Sequence, residues 1–353
     1  MSQPLVTNSL PPAAGLSVFL ARLMRGENLS RSDASEFLEG LLDDRSTDGQ
    51  IAAALVALAV KGETVDELTG IAAAMRSRAV QLKPRHERFL DTAGTGSSCA
   101  KTFNVSTAAA FVIAGAGLPV AKHGNRAVTS RSGSSDVLTA LGVKVSASPE
   151  VSEKCLNDLG VCFMFAPLYH GTTARVAAIR RELGVRTVFN LLGPLTNPAG
   201  APYQLVGVCN AELVEPIAQT LAALGTKRAW VVHGLDGLDE VTLAEKTVVA
   251  EAQDGTVKIF ELRPEDFGLR SSSLENLGGA DAEASAQIIR EVFSGRDDAA
   301  RDLVVANAAA GLFIGGAATD LREAARLATA SIDTGSAAAK VADLVKATTT
   351  LGQ

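Results

Sequence analysis

From residue 15 to about residue 80 the apolar positions recur at helical spacing throughout. Leu16, Phe19, Leu20, Leu23 and Met24 fall on one face at three- and four-residue intervals. Three helix starts follow, each a hydroxyl residue with an acid or amide three positions on: Ser30 with Asp33, Thr47 with Gln50, and Thr64 with Glu67. The pattern predicts four short helices with short links, a small helical domain over residues 15–82. After the polar crossing from Pro84 to Arg88 the period changes. Short apolar runs at 88–90, 118–121, 143–146, 161–166, 204–209 and 229–233 alternate with helical segments. That alternation implies an α/β fold whose larger domain is a mostly parallel sheet flanked by helices. Asp254-Gly255 between the runs 248–251 and 257–262 predicts an antiparallel hairpin at the sheet edge. From Ala282 onward the period is helical again, in four pieces.

The segment 169–200 interrupts the alternation and is expected to rejoin the helical domain in part. The expected organisation is a disordered tail at 1–14, the helical domain, and an α/β domain built from 83–168 and 201–353. A chain that crosses between domains several times makes a hinged cleft. The helical unit could serve a dimer contact or pack only against its own chain; the pattern leaves both open.

Composition narrows the class. Apolar residues make up 47% of the 353 residues and aromatics only 4%, which favours closely packed, alanine-rich helices. A net charge of -6 argues against a nucleic-acid binder. Cys99, Cys155, Cys162 and Cys209 show no C-x-x-C spacing, so neither a zinc site nor a disulfide framework is expected, and the setting is cytoplasmic. No apolar run is long enough for a membrane span, and residues 1–14 lack the basic start and apolar block of a signal peptide.

Candidate chemistry concentrates between Asp91 and Asp136, an interval without a single acid that carries Lys101, Lys122, His123, Arg126 and Arg131. Gly94-Thr95-Gly96 forms a tight turn, and Thr102-Phe-Asn104-Val105-Ser106-Thr107 opens an alanine-rich helix. Glycine N–H groups and a helix start both favour an anion, with phosphate or pyrophosphate the natural ligand. An ordinary glycine turn before a buried helix is the plain alternative. Two known phosphate motifs do not fit. Cys99 stands at the third glycine of the dinucleotide fingerprint, and Ala100 and Thr95 stand at the glycines of a Walker A loop. A second basic, glycine-rich loop, Lys122-His123-Gly124-Asn125-Arg126, continues into Ser130-Arg131-Ser132-Gly133-Ser134. It is expected at the carboxyl end of a strand.

These two loops resemble the signature of the anthranilate phosphoribosyltransferase family. The resemblance extends through Arg180-Arg-Glu-Leu-Gly-Val-Arg-Thr-Val-Phe-Asn-Leu-Leu-Gly193-Pro194-Leu-Thr-Asn-Pro198 and His233-Gly-Leu-Asp-Gly-Leu-Asp239-Glu240, and covers the chain from about residue 15 on. It implies a nucleoside phosphorylase/phosphoribosyltransferase-like fold. The implied reaction transfers phosphoribosyl from phosphoribosyl pyrophosphate to the amine of anthranilate, the second step of tryptophan biosynthesis from chorismate. It further implies Mg²⁺, two ions in all, and a homodimer formed through the helical domain.

Carried onto this chain, the resemblance assigns phosphoribosyl pyrophosphate to two groups of residues. The first is Gly94, Thr95, Gly96, Ser97, Ser98, Thr102, Asn104, Val105, Ser106 and Thr107; the second is Lys122, His123, Gly124, Asn125, Arg126, Ser130 and Ser134. It assigns anthranilate to Gly94, Asn125, His170 and Arg180, with the planar fork of Arg180 on the carboxylate. On pattern alone Arg180 reads as a surface arginine and His170 as a helix-start histidine. Asp239-Glu240 reads on pattern alone as a solvated acidic loop; the resemblance makes both Mg²⁺ ligands, with Ser106 on a second ion. No strong general base is expected, because an aromatic amine is neutral and already nucleophilic. The chain departs from the family at Ser97, Ser98 and Cys99, where the loop ordinarily reads Gly-Asp-Gly. Fewer glycines restrict the backbone and the lost aspartate removes an acceptor, so affinity is expected to change more than the reaction. Cys99 beside Lys101 reads as a tolerated small residue or as a reactive thiol. Rival readings are a pyrimidine nucleoside phosphorylase-like enzyme and a non-enzymatic nucleic-acid-binding relative.

Overall fold

The computed structural model describes residues 15–96, 100, 102–126, 132–275, 277–279 and 281–350. The four expected helices at the start of the chain are α1 (Leu16–Leu23), α2 (Arg31–Leu42), α3 (Asp48–Lys61) and α4 (Val65–Arg78). Ser30, Thr47 and Thr64 each accept the N–H three residues on, and Asp33, Gln50 and Glu67 return the bond, so all three capping boxes form. Glu67 also binds the unit together. It is fully buried, accepts the N–H of Leu29 at 2.9 Å, and pairs with Lys61 Nζ at 2.9 Å.

The alternating part runs β1 (Leu90–Gly94), α5 (Val105–Gly115), β2 (Val120–Gly124), α6 (Ser134–Ala140), α7 (Pro149–Leu159) and β3 (Val161–Phe165). Three helices interrupt it, α8 (Ala166–Tyr169), α9 (Ala174–Leu183) and α10 (Phe189–Leu195). It resumes with β4 (Tyr203–Gly207), α11 (Val214–Ala223), β5 (Arg228–Gly234), β6 (Thr247–Gln253) and β7 (Thr256–Leu262), and ends in α12 (Ala282–Phe293), α13 (Ala299–Ile314), α14 (Leu321–Asp333) and α15 (Ser336–Thr350). The strands form one sheet in the order β3-β2-β1-β4-β5-β6-β7. The first five are parallel; β6 and β7 are the predicted antiparallel edge hairpin, turned at Asp254 (φ 49°) and Gly255 (φ 77°).

Strand alternation divides the core in two. Leu205, Trp230, Val232 and Val249 face a cluster with α5 and α12–α15. Val206, Ala229, Val231, Ala250 and Ala252 face the other cluster, with α11, α1–α4, α9 and α10. Residues 176–195 thus pack with the helical unit, which shares its core with one sheet face, while Tyr169 and Ala199 join the opposite cluster. No helix among the described residues is long and apolar enough to cross a membrane.

The expected strand at 143–146 does not form. Val143 donates to Leu138 O, Lys144 donates to Thr348 Oγ1, and Ala147 donates to Lys144 O. These groups therefore close the end of α6, bond α15 and form a local turn instead of meeting a strand. Boundaries also move at the site. β1 runs on from the expected run at 88–90 through Asp91-Thr92-Ala93 into Gly94 of the expected turn, and β2 takes in Lys122, His123 and Gly124, read as loop from the sequence.

Candidate active site

The sheet order reverses at β1, with β2 and β3 on one side and β4 on the other. Such a switch point opens a crevice beyond the carboxyl ends of parallel strands. Here the crevice is widened by side chains. β1 and β4 stay paired from Leu90–Tyr203 to Gly94–Gly207, whereas β1 and β2 pair at Leu90–Val120 alone. Beyond that point two side chains stand in for the ladder. Asp91 Oδ1 on β1 accepts the N–H of His123 on β2 at 3.1 Å. Lys122 Nζ on β2 donates to Thr92 O on β1 at 2.5 Å and to Thr92 Oγ1 at 3.2 Å.

Both bracing groups are buried, Asp91 completely. Burial pushes the Asp91 carboxyl up to about 6 against the pull of Lys122. Burial also draws Lys122 down, opposed by Asp91 and Glu240. Lys122 Nζ lies 3.4 Å from Ser106 Oγ, and the Ser106 N–H donates to Glu240 Oε1 at 3.1 Å. Lys122, Ser106 and Glu240 therefore meet, although 134 residues separate the last two. Burial, and then Asp239 beside it, raise the Glu240 carboxyl to about 8. The Asp239 loop lies directly over the ends of β1 and β4. A Cβ built on Gly207 would overlap the Asp239 carbonyl, and one on Gly94 would lie 3.6 Å from Asp239 Oδ2.

The first glycine turn sits above this loop. Thr95 continues the ladder by donating to Gly207 O at 2.9 Å, Gly96 turns the chain at φ 67°, and Ala100 N–H reaches Gly237 O at 3.2 Å. Thr102 Oγ1 bonds the adjacent Phe103 carbonyl. Asn104 precedes α5 without capping it by its side chain. Val105 turns its side chain into the core and donates its N–H to Phe103 O, so it shapes the helix start. Thr107 Oγ1 is buried with no partner among the described residues. Gly124 must be glycine, since a Cβ there would overlap Ser134 Oγ. Asn125 is exposed and accepts the Ser135 N–H at 3.3 Å, while Arg126 stands over the Phe165 ring at 5.9 Å. The expectations placed on Ser97, Ser98, Cys99, Lys101, Ser130 and Arg131 lie outside the described residues.

On the other side of the crevice, His123 Nδ1 bonds Gly193 O of α10 at 3.1 Å, and the His123 and His170 rings meet edge-on at 5.2 Å. A carbonyl can only accept, so Nδ1 carries the proton and Nε2 is a bare acceptor. The Nε2 atoms of both rings are buried without a partner among the described residues. Burial holds His123 at about 3, helped by His170, and lowers His170 as well. Arg180 reaches the same helix. It donates to Thr187 Oγ1 at 3.1 Å and Asn190 Oδ1 at 3.2 Å, and stacks over Phe189 at 5.2 Å. Three of its five N–H groups stay clear of these two bonds.

Sequence reasoning passed over Asp91, Thr92 and Gly207 as site residues. Asp91 carried a signal, an acid directly after the apolar run that opens β1. Gly207 carried none, because its neighbour Asp239 is distant in sequence.

A family model described as "Glycosyl transferase family, a/b domain" matches residues 86–338, and its companion "helical bundle domain" matches residues 17–79. An anthranilate phosphoribosyltransferase of Moorella thermoacetica is 49% identical over 330 residues, covering 94% of this chain and 97% of its own. The crystal structure of the Thermus thermophilus enzyme of that name has a TM-score of 0.87 at 39% identity, covering 93% of this chain and 98% of its own. The Saccharomyces cerevisiae enzyme in complex with PRPP and Mg has a TM-score of 0.86 at 28% identity, covering 95% and 98%.

Proposed function

The chain belongs to the anthranilate phosphoribosyltransferase family, and from that premise we propose how its own residues divide the reaction. The C1–O bond of the donor to pyrophosphate breaks, a C1–N bond to the anthranilate amine forms, and the amine proton passes to solvent water. Because the amine is nucleophilic without a base, positioning and stabilisation of the leaving group carry the rate. The glycine turn at Gly94–Gly96, the α5 start at Asn104–Thr107 and Lys122 hold the pyrophosphate. Thr92 braces Lys122, so its Nζ is held at a fixed point, and Asp91 and Glu240 favour its charged form against burial.

The single observation that carries this assignment is the meeting of Lys122, Ser106 and the crowded Asp239–Glu240 pair at the switch point. The adjacent Asp239 and Glu240 carboxylates oppose each other's ionisation, a repulsion that a cation would relieve, and they offer the hard oxygen ligands that suit Mg²⁺. So few protein oxygens suit this ion, which takes the rest of its ligands from substrate phosphates and water. When bound, Mg²⁺ adds positive charge to the departing pyrophosphate. We assign one ion to Asp239 and Glu240 and a second to Ser106.

Anthranilate lies between Asn125, His170 and Arg180, with its carboxylate on the guanidinium. His123 and His170 stay neutral and exclude water instead of moving protons. Exposed Val56, Val60 and Met24 on α3 and beside α1 support a homodimer through the helical unit. Unpaired, buried Cys155, Cys162 and Cys209 support a cytoplasmic setting.

The test is anthranilate fluorescence on mixing protein, anthranilate, phosphoribosyl pyrophosphate and Mg²⁺. Loss of signal that needs every component is expected, and thymidine or uridine phosphorolysis is not. Persistent fluorescence alongside normal donor binding would mean a different acceptor.

A further inference from the structure

Asn104 stands where an N-cap belongs, yet its side chain makes no capping bond to α5. Its carboxamide is engaged elsewhere. Asn104 Oδ1 accepts Ser132 Oγ at 3.0 Å and Ser285 Oγ at 3.0 Å, the latter from the first turn of α12, 181 residues away. Ser285 is completely buried. Its hydroxyl also accepts the backbone N–H of Asn104 at 2.8 Å. A hydroxyl has one proton, and among the described residues that proton goes to Oδ1. The oxygen of the carboxamide is thereby turned to Ser285, and the NH₂ is turned away with its two protons unspent on these partners.

The surroundings hold this arrangement in place. Phe103 donates to Leu277 O at 3.0 Å, binding the neighbouring backbone to the segment that leads into α12. Asp281 caps α12 by accepting the Ala284 N–H at 2.9 Å, and Ser285 donates its own N–H to Asp281 O at 3.0 Å. Gly279 packs so closely that a Cβ on it would lie 3.1 Å from Ser285 Cβ. Ser285 therefore cannot withdraw without moving α12, and through Asn104 it joins the loop 102–107 to the loop that begins at Ser132.

We propose that Ser285 is a positioning residue for the phosphoribosyl donor: it orients the Asn104 carboxamide so that its NH₂ faces the donor's phosphate oxygens, and it clamps the two donor loops together. The inference rests on the reading above that Asn104–Thr107 hold the donor. Ser285 itself touches no substrate. Its removal should act on the donor and spare the acceptor.

The experiment is calorimetric titration with phosphoribosyl pyrophosphate and Mg²⁺, together with separate KM values for donor and anthranilate and a melting curve. Ser285→Ala is expected to raise donor Kd and KM about tenfold, the weight of one misdirected hydrogen bond to a charged group, with anthranilate KM within about twofold. Asn104→Asp keeps both hydroxyl bonds but turns an acceptor toward the anion. It should weaken the donor by roughly a hundredfold at an unchanged melting temperature. In an Asn104→Ala background, Ser285→Ala should add less than about twofold, since the two act as one unit. Ser285→Cys, of similar size with a weaker donor, gives an intermediate rise and serves if the alanine variant does not fold. Donor Kd unchanged in Ser285→Ala or Ser285→Cys, equal losses for both substrates, or full additivity with Asn104→Ala would each overturn the proposal. Wild-type protein that binds no donor at all would overturn the functional reading itself. Normal wild-type binding with an indifferent Ser285 overturns only this inference.

Discussion

Single atoms decide the site where chain segments touch. Gly207 illustrates this, because the Asp239 carbonyl rests where its Cβ would be. Gly207→Ala must push the acidic loop outward, at a cost of about 1–3 kcal/mol in stability. The Mg²⁺ concentration for half-maximal turnover should rise about tenfold or more, an estimate that follows from ligands held about 1 Å too loosely. An unchanged Mg²⁺ requirement would show that Asp239 and Glu240 do not hold the ion. Arg180 is already fixed by Thr187, Asn190 and Phe189, so its charge costs little to place. Arg180→Ala should raise the anthranilate KM about a hundredfold, near the ~3 kcal/mol of a charge-assisted pair, and leave donor Kd alone. Equal anthranilate KM in variant and wild type would remove it from the acceptor site.

Elements hold because their ends are satisfied. In the helical unit one side chain serves three helix ends. Glu67 accepts the N–H groups of Leu29 and Thr64 and pairs with Lys61 at the end of α3. Lys61 is itself only 6% exposed, so Glu67→Ala leaves its ammonium with the neutral acceptors Asn28 Oδ1 and Gly62 O alone and strips two backbone N–H groups of their partner. The expected loss is about 3–5 kcal/mol, read as a lower urea midpoint. A shift below about 1 kcal/mol would mean that water replaces the carboxylate freely. The opposite case is 143–146, where alternating apolar residues form no strand. The end of α6 takes the Val143 N–H and the Thr348 side chain of α15 takes that of Lys144, so neither meets a strand.

For the whole molecule, pH is the informative variable. His123 takes a proton near 6.5 when unfolded but only near 3 when buried beside His170. Between those values the unfolded chain binds more protons, so stability is full above pH 6.5 and falls as pH drops toward 3. The total effect is on the order of a few kcal/mol. Asp91 acts in the opposite sense. Its carboxyl is raised to about 6, so its contribution is largest below the ordinary carboxylate range and is lost as pH rises through 6. Comparing wild type with His123→Gln isolates the histidine, because Asp91 is common to both. The variant should show a flatter fall in urea midpoint from about pH 7 to about pH 4.5, within the window where the histidine acts. Parallel profiles would mean that His123 is protonated in the fold.

What the sequence by itself determined is local. Each capping box spans four residues, the Asp254-Gly255 turn needs two, and the segments 94–107 and 122–126 keep their candidate residues contiguous. Bonds between near neighbours form whatever the rest of the chain does, so their signal survives in the string of letters. Only the tertiary structure decided that β1 and β2 part after one pair, with Asp91 and Lys122 in place of the ladder. It alone put Asp239 on Gly207 and Ser285 on Asn104. These contacts join segments whose nearness follows from strand order and from which sheet face each helix covers. No residue type signals that nearness in advance, and a serine early in α12 reads as an ordinary helix residue until the fold brings Asn104 to it.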